Sequence, residues 1–241
     1  MNSYDIAFQG WEYLVQLIKQ HDLCTACVKI VSKQDILVEN IKVSLHQKHH
    51  FQPEKTKAIT SALIQNIIAE AKQTEGTEFS LLCRNTLVAL CGGLESLVKD
   101  VVSASILEKK NNLEKLGNRS MKIELVDLLA KSDEERARIF VDSLFREETS
   151  KNGHTNKLLR LLEYVDGKIE VDRQIQLTID EAFEVRNVIV HRGSKVDEQL
   201  KSKFPNIRQE VGDSVEMSAP VFRSYKDAIF NFAETVISST L

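Results

Sequence analysis

An all-α fold, a helical bundle carrying an N-terminal helical extension, follows from three features of the sequence. The 241 residues include only 9 Gly and 3 Pro, so little interrupts a helix and the helices should be long. Apolar residues recur at three- and four-residue spacing along much of the chain. Two stretches, Ser132-Asp133-Glu134-Glu135 and Thr178-Ile179-Asp180-Glu181, have the Ser/Thr-x-x-Glu form of a capping box, in which two side chains satisfy the free amides at a helix start.

The elements follow in order. From Tyr4 to Ala71 the pattern predicts two or three amphipathic helices, with Trp11, Tyr13, Leu14, Leu17 and Ile18 on helical spacing and a break near Phe51-Gln52-Pro53. Residues 1–75 form an N-terminal helical segment and 76–241 the main domain in this reading. A long apolar helix is expected between Phe79 and Lys109, with a small-residue patch at Cys91-Gly92-Gly93 that would let another helix approach closely. The first capping box predicts a helix from about Ser132 to Arg146. The second predicts the start of a four-turn helix that carries Arg186 and His191 and stops at Gly193. A last helix is expected from Ser218, with Pro220 in its first turn, burying Val221, Tyr225, Ile229, Phe232 and Val236. Short extended pieces are allowed at Lys168 to Val171 and Ser214 to Met217.

Composition narrows the function. With 42% hydrophobic and 28% charged residues, the chain belongs with folded globular proteins rather than disordered ones. A net charge of −3 argues against broad nonspecific nucleic-acid binding, which needs many cations to neutralise phosphates; any such contact should be local and lie in a cleft. No apolar run approaches the ~18 residues that would span a bilayer, and the N-terminus lacks a signal-peptide layout, so a cytoplasmic protein is expected. Cys24, Cys27, Cys83 and Cys91 read as buried thiols rather than a disulfide framework. His21, Cys24 and Cys27, followed by His46, His49 and His50, have spacings that zinc can use. Their apolar helical context, without a Gly-rich turn, favours thiols and exposed histidines instead, and no metal or cofactor is expected. Nucleophile elbows and phosphate-binding Gly loops are missing from the sequence.

Chemistry concentrates in the helix of Arg186 and His191. Arginine is a permanent cation matched to phosphate, and histidine exchanges protons near neutral pH; together they supply what phosphodiester transesterification needs. At about 100° per residue, Ala182, Val185, Val188 and Ile189 form the arc facing the core, while Asp180, Glu184, Asn187 and His191 share the opposite side. Phe183 and Val190 flank that polar stripe and Arg186 lies just beyond, a surface suited to a partner helix. Arg186 and His191 are about 140° apart, so one helix cannot bring both to one phosphate. Two copies packed across a two-fold axis could, as could unwinding near Gly193. The plain alternative is an arginine on the helix shoulder and a histidine stabilised by the helix C-terminus.

The run Phe183-Glu184-Val185-Arg186-Asn187-Val188-Ile189-Val190-His191-Arg192-Gly193, followed by Val196-Asp197 and by Gly212 ahead of Val215-Glu216-Met217-Ser218, resembles HEPN domains, an all-helical superfamily with an Arg-x4-6-His signature and a polar residue after the arginine. Leu94-Glu95-Ser96-Leu97-Val98-Lys99-Asp100 looks like the long helix that members pack against the motif helix. The resemblance spans roughly Thr77 to Leu241. It implies a metal-independent endoribonuclease that works as a homodimer, leaves 2′,3′-cyclic phosphate ends and serves bacterial antiphage defence or a toxin-antitoxin pair. His191 would then move the proton, Arg186 would stabilise charge on phosphorus and Asn187 would orient one of them. Glu95 is chosen as an additional acidic residue near the site; a solvated carboxylate is its other reading. RNA, tRNA among its forms, would meet Lys109, Lys110, Lys115, Arg119 and Lys122, unless these are simply a solvated face. An unrestrained ribonuclease harms its host, so a regulatory or sensor partner is also expected. The other function class is a noncatalytic dimerisation or binding module of a larger defence complex.

Overall fold

A computed structural model of the chain describes residues 3–32, 54–108, 131–147, 153–164 and 169–239, with backbone alone for 54–63. Among these residues there are eight helices and no strand: α1 (Ser3–Ser32), α2 (Glu54–Gly76), α3 (Ser80–Glu108), α4 (Asp133–Glu147), α5 (His154–Leu162), α6 (Arg173–His191), α7 (Glu198–Lys203) and α8 (Ala219–Ser238). The all-α expectation holds. None of the described helices is long and apolar enough to cross a membrane.

The core is organised around α3. Leu87, Leu90, Leu94, Leu97, Val98, Val101 and Val102 are buried on every side of it, as expected of a helix apolar all round, and α1, α4, α5, α6 and α8 all pack against it. Its large apolar residues are exposed only at its ends, at Leu81 and Leu107. The small-residue patch works as the sequence suggests, at one of its glycines. A Cβ on Gly93 would sit 2.8 Å from a Leu14 methyl, whereas Gly92 faces open space. Gly10 of α1 meets Leu97 in the same close way, with its Cβ position 3.0 Å from that side chain. Helix α1, from the expected N-terminal segment, therefore lies directly on α3. Its Trp11 also meets Phe230 of α8 edge to face, ring centroids 4.8 Å apart.

Helix starts follow their caps. Ser132 Oγ accepts from Glu135 N at 3.2 Å, and Glu135 Oε2 accepts from Ser132 N at 2.9 Å, so the first capping box is real and α4 begins at Asp133. The second box is not. Helix α6 begins at Arg173, because the Asp172 side chain accepts from the amides of Gln174 and Ile175. Thr178 lies inside the helix, where its hydroxyl bonds to Gln174 O. At α8 the N-cap position is Ser218, whose side chain makes no cap hydrogen bond, and Pro lies in the first turn as expected. Its inward residues are Phe222, Tyr225, Ile229, Phe232 and Val236, while Val221 is exposed rather than buried; Phe222 takes the inward position of that turn. The extended pieces reduce to one isolated bridge between Lys195 and Ser214. Ile169–Val171 forms no strand, and Lys168 lies outside the described residues.

Candidate functional site

The motif helix is placed by its apolar arc. Ala182, Val185 and Val188 are buried and Ile189 packs on the core from its edge, which turns Arg186 and Asn187 toward a half-buried margin. There Arg186 Nη1 donates to Asn187 Oδ1 at 3.1 Å. His191 sits exposed in the final turn and makes no hydrogen bond or ion pair to Arg186 or Asn187. Beyond it the chain leaves the helix through Gly193 and Ser194, both at φ 60°.

The polar stripe opposite the core is more occupied than its spacing suggests. Asp180 accepts from Thr155 N at 2.7 Å, and Thr155 Oγ1 donates to Gln176 O at 3.1 Å. Glu184 is paired with Lys203 of α7. The start of α5 is thus fastened to α6 by a carboxylate of α6. Gly153, at φ 96°, is required there, since a Cβ would lie 2.1 Å from Asp180 Oδ2. This docking covers Phe183, which is buried; the helix that covers it is α5 of the same chain. Val190 stays exposed.

Docked in this way, α5 delivers a histidine that the sequence reading passed over. The His154 ring lies flat on Phe183, centroids 3.6 Å apart and planes 17° from parallel. Its Nε2 is 3.9 Å from Glu95 Oε2, too long for a hydrogen bond. Glu95 binds Lys99 Nζ at 2.9 Å through its other oxygen, and Lys99 reaches Asp142 Oδ1 of α4 at 3.0 Å. Phe145 carries Lys99 over one part of its ring at 4.3 Å and Lys157 at 3.8 Å, favourable contacts for an ammonium group on a π face.

Burial, aided by the cations Lys157, Arg186 and Lys99, pushes the His154 pKa down to about 4 against the opposing pull of Glu95. The ring is neutral at pH 7. Burial also lifts the Cys91 thiol, one turn before Glu95 on α3, to about 12, outweighing the lowering effect of Arg186, so this thiol is no nucleophile. For Lys99 the order reverses: burial would lower its pKa, but hydrogen bonds and charge from Glu95 and Asp142 raise it. Two nitrogens of the cluster, His154 Nε2 and Arg186 Nε, are buried without hydrogen-bond partners among the described residues.

The structure thus sets Glu95 and Arg186 near His154, joins Asn187 to the group through Arg186, and leaves His191 apart. Lys109, Lys110, Lys115, Arg119 and Lys122 lie outside the described residues. The signal for His154 in the sequence is slight: Gly153-His154-Thr155 opens a short run with Leu158, Leu161 and Leu162 on one face, which spacing alone would mark as a helix but not as part of a site.

The cysteine and histidine set of α1 does not converge. Cys24 and Cys27 are exposed, not buried as expected, whereas Cys83 and Cys91 are buried. His21 turns inward, stacking on Phe222 at 4.7 Å with Nε2 3.8 Å from Cys83 Sγ. Burial raises the Cys83 pKa. His46, His49 and His50 lie outside the described residues, and no group of three metal-ligating side chains occurs among those described. The chain matches no family model, no curated protein and no solved structure.

Proposed function

We propose that this chain is a metal-independent endoribonuclease of the HEPN type, a cytoplasmic bacterial defence or toxin effector that acts as a homodimer under the control of a partner protein. One observation carries the reading. Among the described residues Arg186 is a half-buried cation with no carboxylate within ion-pair distance, its Nε is unbonded, and its Nη1 donates to Asn187. A buried charge without a counter-ion is unfavourable, and the flat guanidinium fork is matched to phosphate oxygens.

In this reading Arg186 stabilises charge on the phosphorus, Asn187 holds the guanidinium in place, and His191 transfers a proton at the exposed end of the same helix. His191 lies five positions after Arg186, about 7.5 Å along the axis and about 140° around it. The His191 that serves a given Arg186 therefore comes from a second copy, and exposed Val190 supplies an apolar contact beside it. A noncatalytic dimerisation or binding module is the second reading. The α5 docking favours it, because it covers the Phe183 side of the motif helix with the chain's own residues.

The test is incubation of the purified chain with total RNA and defined tRNAs in EDTA, followed by end-group analysis. Cleavage to 2′,3′-cyclic phosphate ends is expected, with Arg186→Ala and His191→Ala each reducing the rate by about 10²- to 10⁴-fold while light scattering still reports a dimer. An intact dimer without cleavage in the presence of its partner would transfer the assignment to the binding module.

A further inference from the structure

Two of the buried nitrogens left without partners belong to one cluster. His154 lies flat on Phe183, and Arg186 is the residue one turn further along the same face of α6. Buried polar groups are normally bonded, and those that are not require an explanation. An oxyanion supplies one: the Arg186 fork donates to it, and Nε2 of a neutral imidazole takes either a donor or an acceptor role. Among the described residues the carboxylate in ion-pair range of the ring is Glu95, whose Oε2 lies 3.9 Å from Nε2 while its other oxygen is anchored to Lys99.

We propose that His154 and Arg186 of a single chain form a pocket for one phosphate, that Glu95 is the built-in carboxylate this phosphate displaces, and that His154 receives the 2′-hydroxyl proton when the phosphate is an RNA linkage. The last part rests on the ribonuclease reading; the pocket does not. The charged groups facing the ring are Glu95 and Lys99 from α3, Lys157 from its own helix and Arg186 from α6, with Asp142 of α4 behind Lys99. Three cations against two carboxylates attract an anion. Lys99 remains as a partner for Glu95 once the phosphate enters. The ring is held neutral by its burial, so it has room for a proton, and an adjacent phosphate raises its affinity for one.

In the chemical step the O2′–H bond breaks with its proton passing to His154 Nε2. The O2′–P bond forms and the P–O5′ bond breaks. Protonated His191 of the other chain gives its proton to the departing 5′ oxygen, and water then resets both rings.

The test uses the full chain with ¹⁵N-labelled histidine, its His154 signals assigned with His154→Gln, titrated at pH 6 with inorganic phosphate and separately with uridine 3′-monophosphate. A saturable move of the His154 signals toward the protonated pattern is expected with both ligands. Tighter binding of the nucleotide identifies nucleic-acid phosphate as the source. Arg186→Ala should abolish the move, and Glu95→Gln should tighten binding by about tenfold, equivalent to about 1.4 kcal/mol. His154 signals that neither ligand shifts, in wild type and Glu95→Gln alike, overturn the pocket. For the proton, folded His154→Gln should cleave RNA about 100-fold more slowly; an unchanged rate overturns that role. Phosphate binding without cleavage keeps the pocket and removes the ribonuclease reading, and cleavage with an unmoved His154 does the reverse.

Discussion

At His154, desolvation outweighs a neighbouring carboxylate, and the consequence extends to stability. Its pKa falls from the ordinary 6.5 to about 4 in the folded chain, so below pH 6.5 the unfolded chain takes up a proton that the folded one refuses. Stability should therefore drop as pH is lowered from about 6.5 to about 4, by up to about 3 kcal/mol from this ring alone. Urea unfolding at pH 7 and pH 4.5 measures it, and the drop should be smaller in His154→Gln by that amount; an equal drop in both proteins would mean the ring is already solvated. Arg186 and Asn187 were legible in the sequence because their placement depends on the periodicity of their own helix. His154 was not, because its environment is made by Gly153, Asp180 and Phe183 across two helices, which no local pattern connects.

Between helices, the same local signature can be true in one place and idle in another. Ser132 and Glu135 close a capping box, whereas Thr178 and Glu181 carry the same spacing inside α6. There Asp172 has already opened the helix six residues earlier, and Glu181 instead accepts a hydrogen bond from the buried Tyr225 hydroxyl at 2.7 Å. Spacing identifies a possible cap; competition with a better one upstream decides whether it is used. The Gly93 patch was a sounder guide, since a missing side chain matters wherever two helices approach within contact. Gly93→Val would drive a branched side chain into fully buried Leu14 and should destabilise the chain by about 1–3 kcal/mol, read as a lower urea midpoint. Gly92→Val faces open space and should leave the midpoint nearly unchanged. Equal effects of the two would place the α1–α3 contact elsewhere.

Over the whole molecule, α3 is enclosed by five helices, and its all-round apolar character made it the most legible element; which helices enclose it was not, since that depends on long-range packing. The α1–α3 contact spans the segment boundary drawn at residue 75. A 77–241 fragment would leave the Gly93 and Leu97 side of α3 and the Phe230 ring without Leu14, Gly10 and Trp11. It should melt broadly and bind a hydrophobic dye, and residues 1–76 added separately should restore a sharp transition; a fragment as cooperative as the full chain would make 77–241 self-sufficient. A different consequence follows from the way α5 begins. Gly153 offers no side-chain cap, and the Thr155 amide is held by Asp180, 25 residues later in the chain. A nine-residue helix has little stability of its own. During synthesis, His154 leaves the ribosome before the carboxylate that fixes its helix has been made, so a chain interrupted before α6 lacks the group that fastens the start of α5.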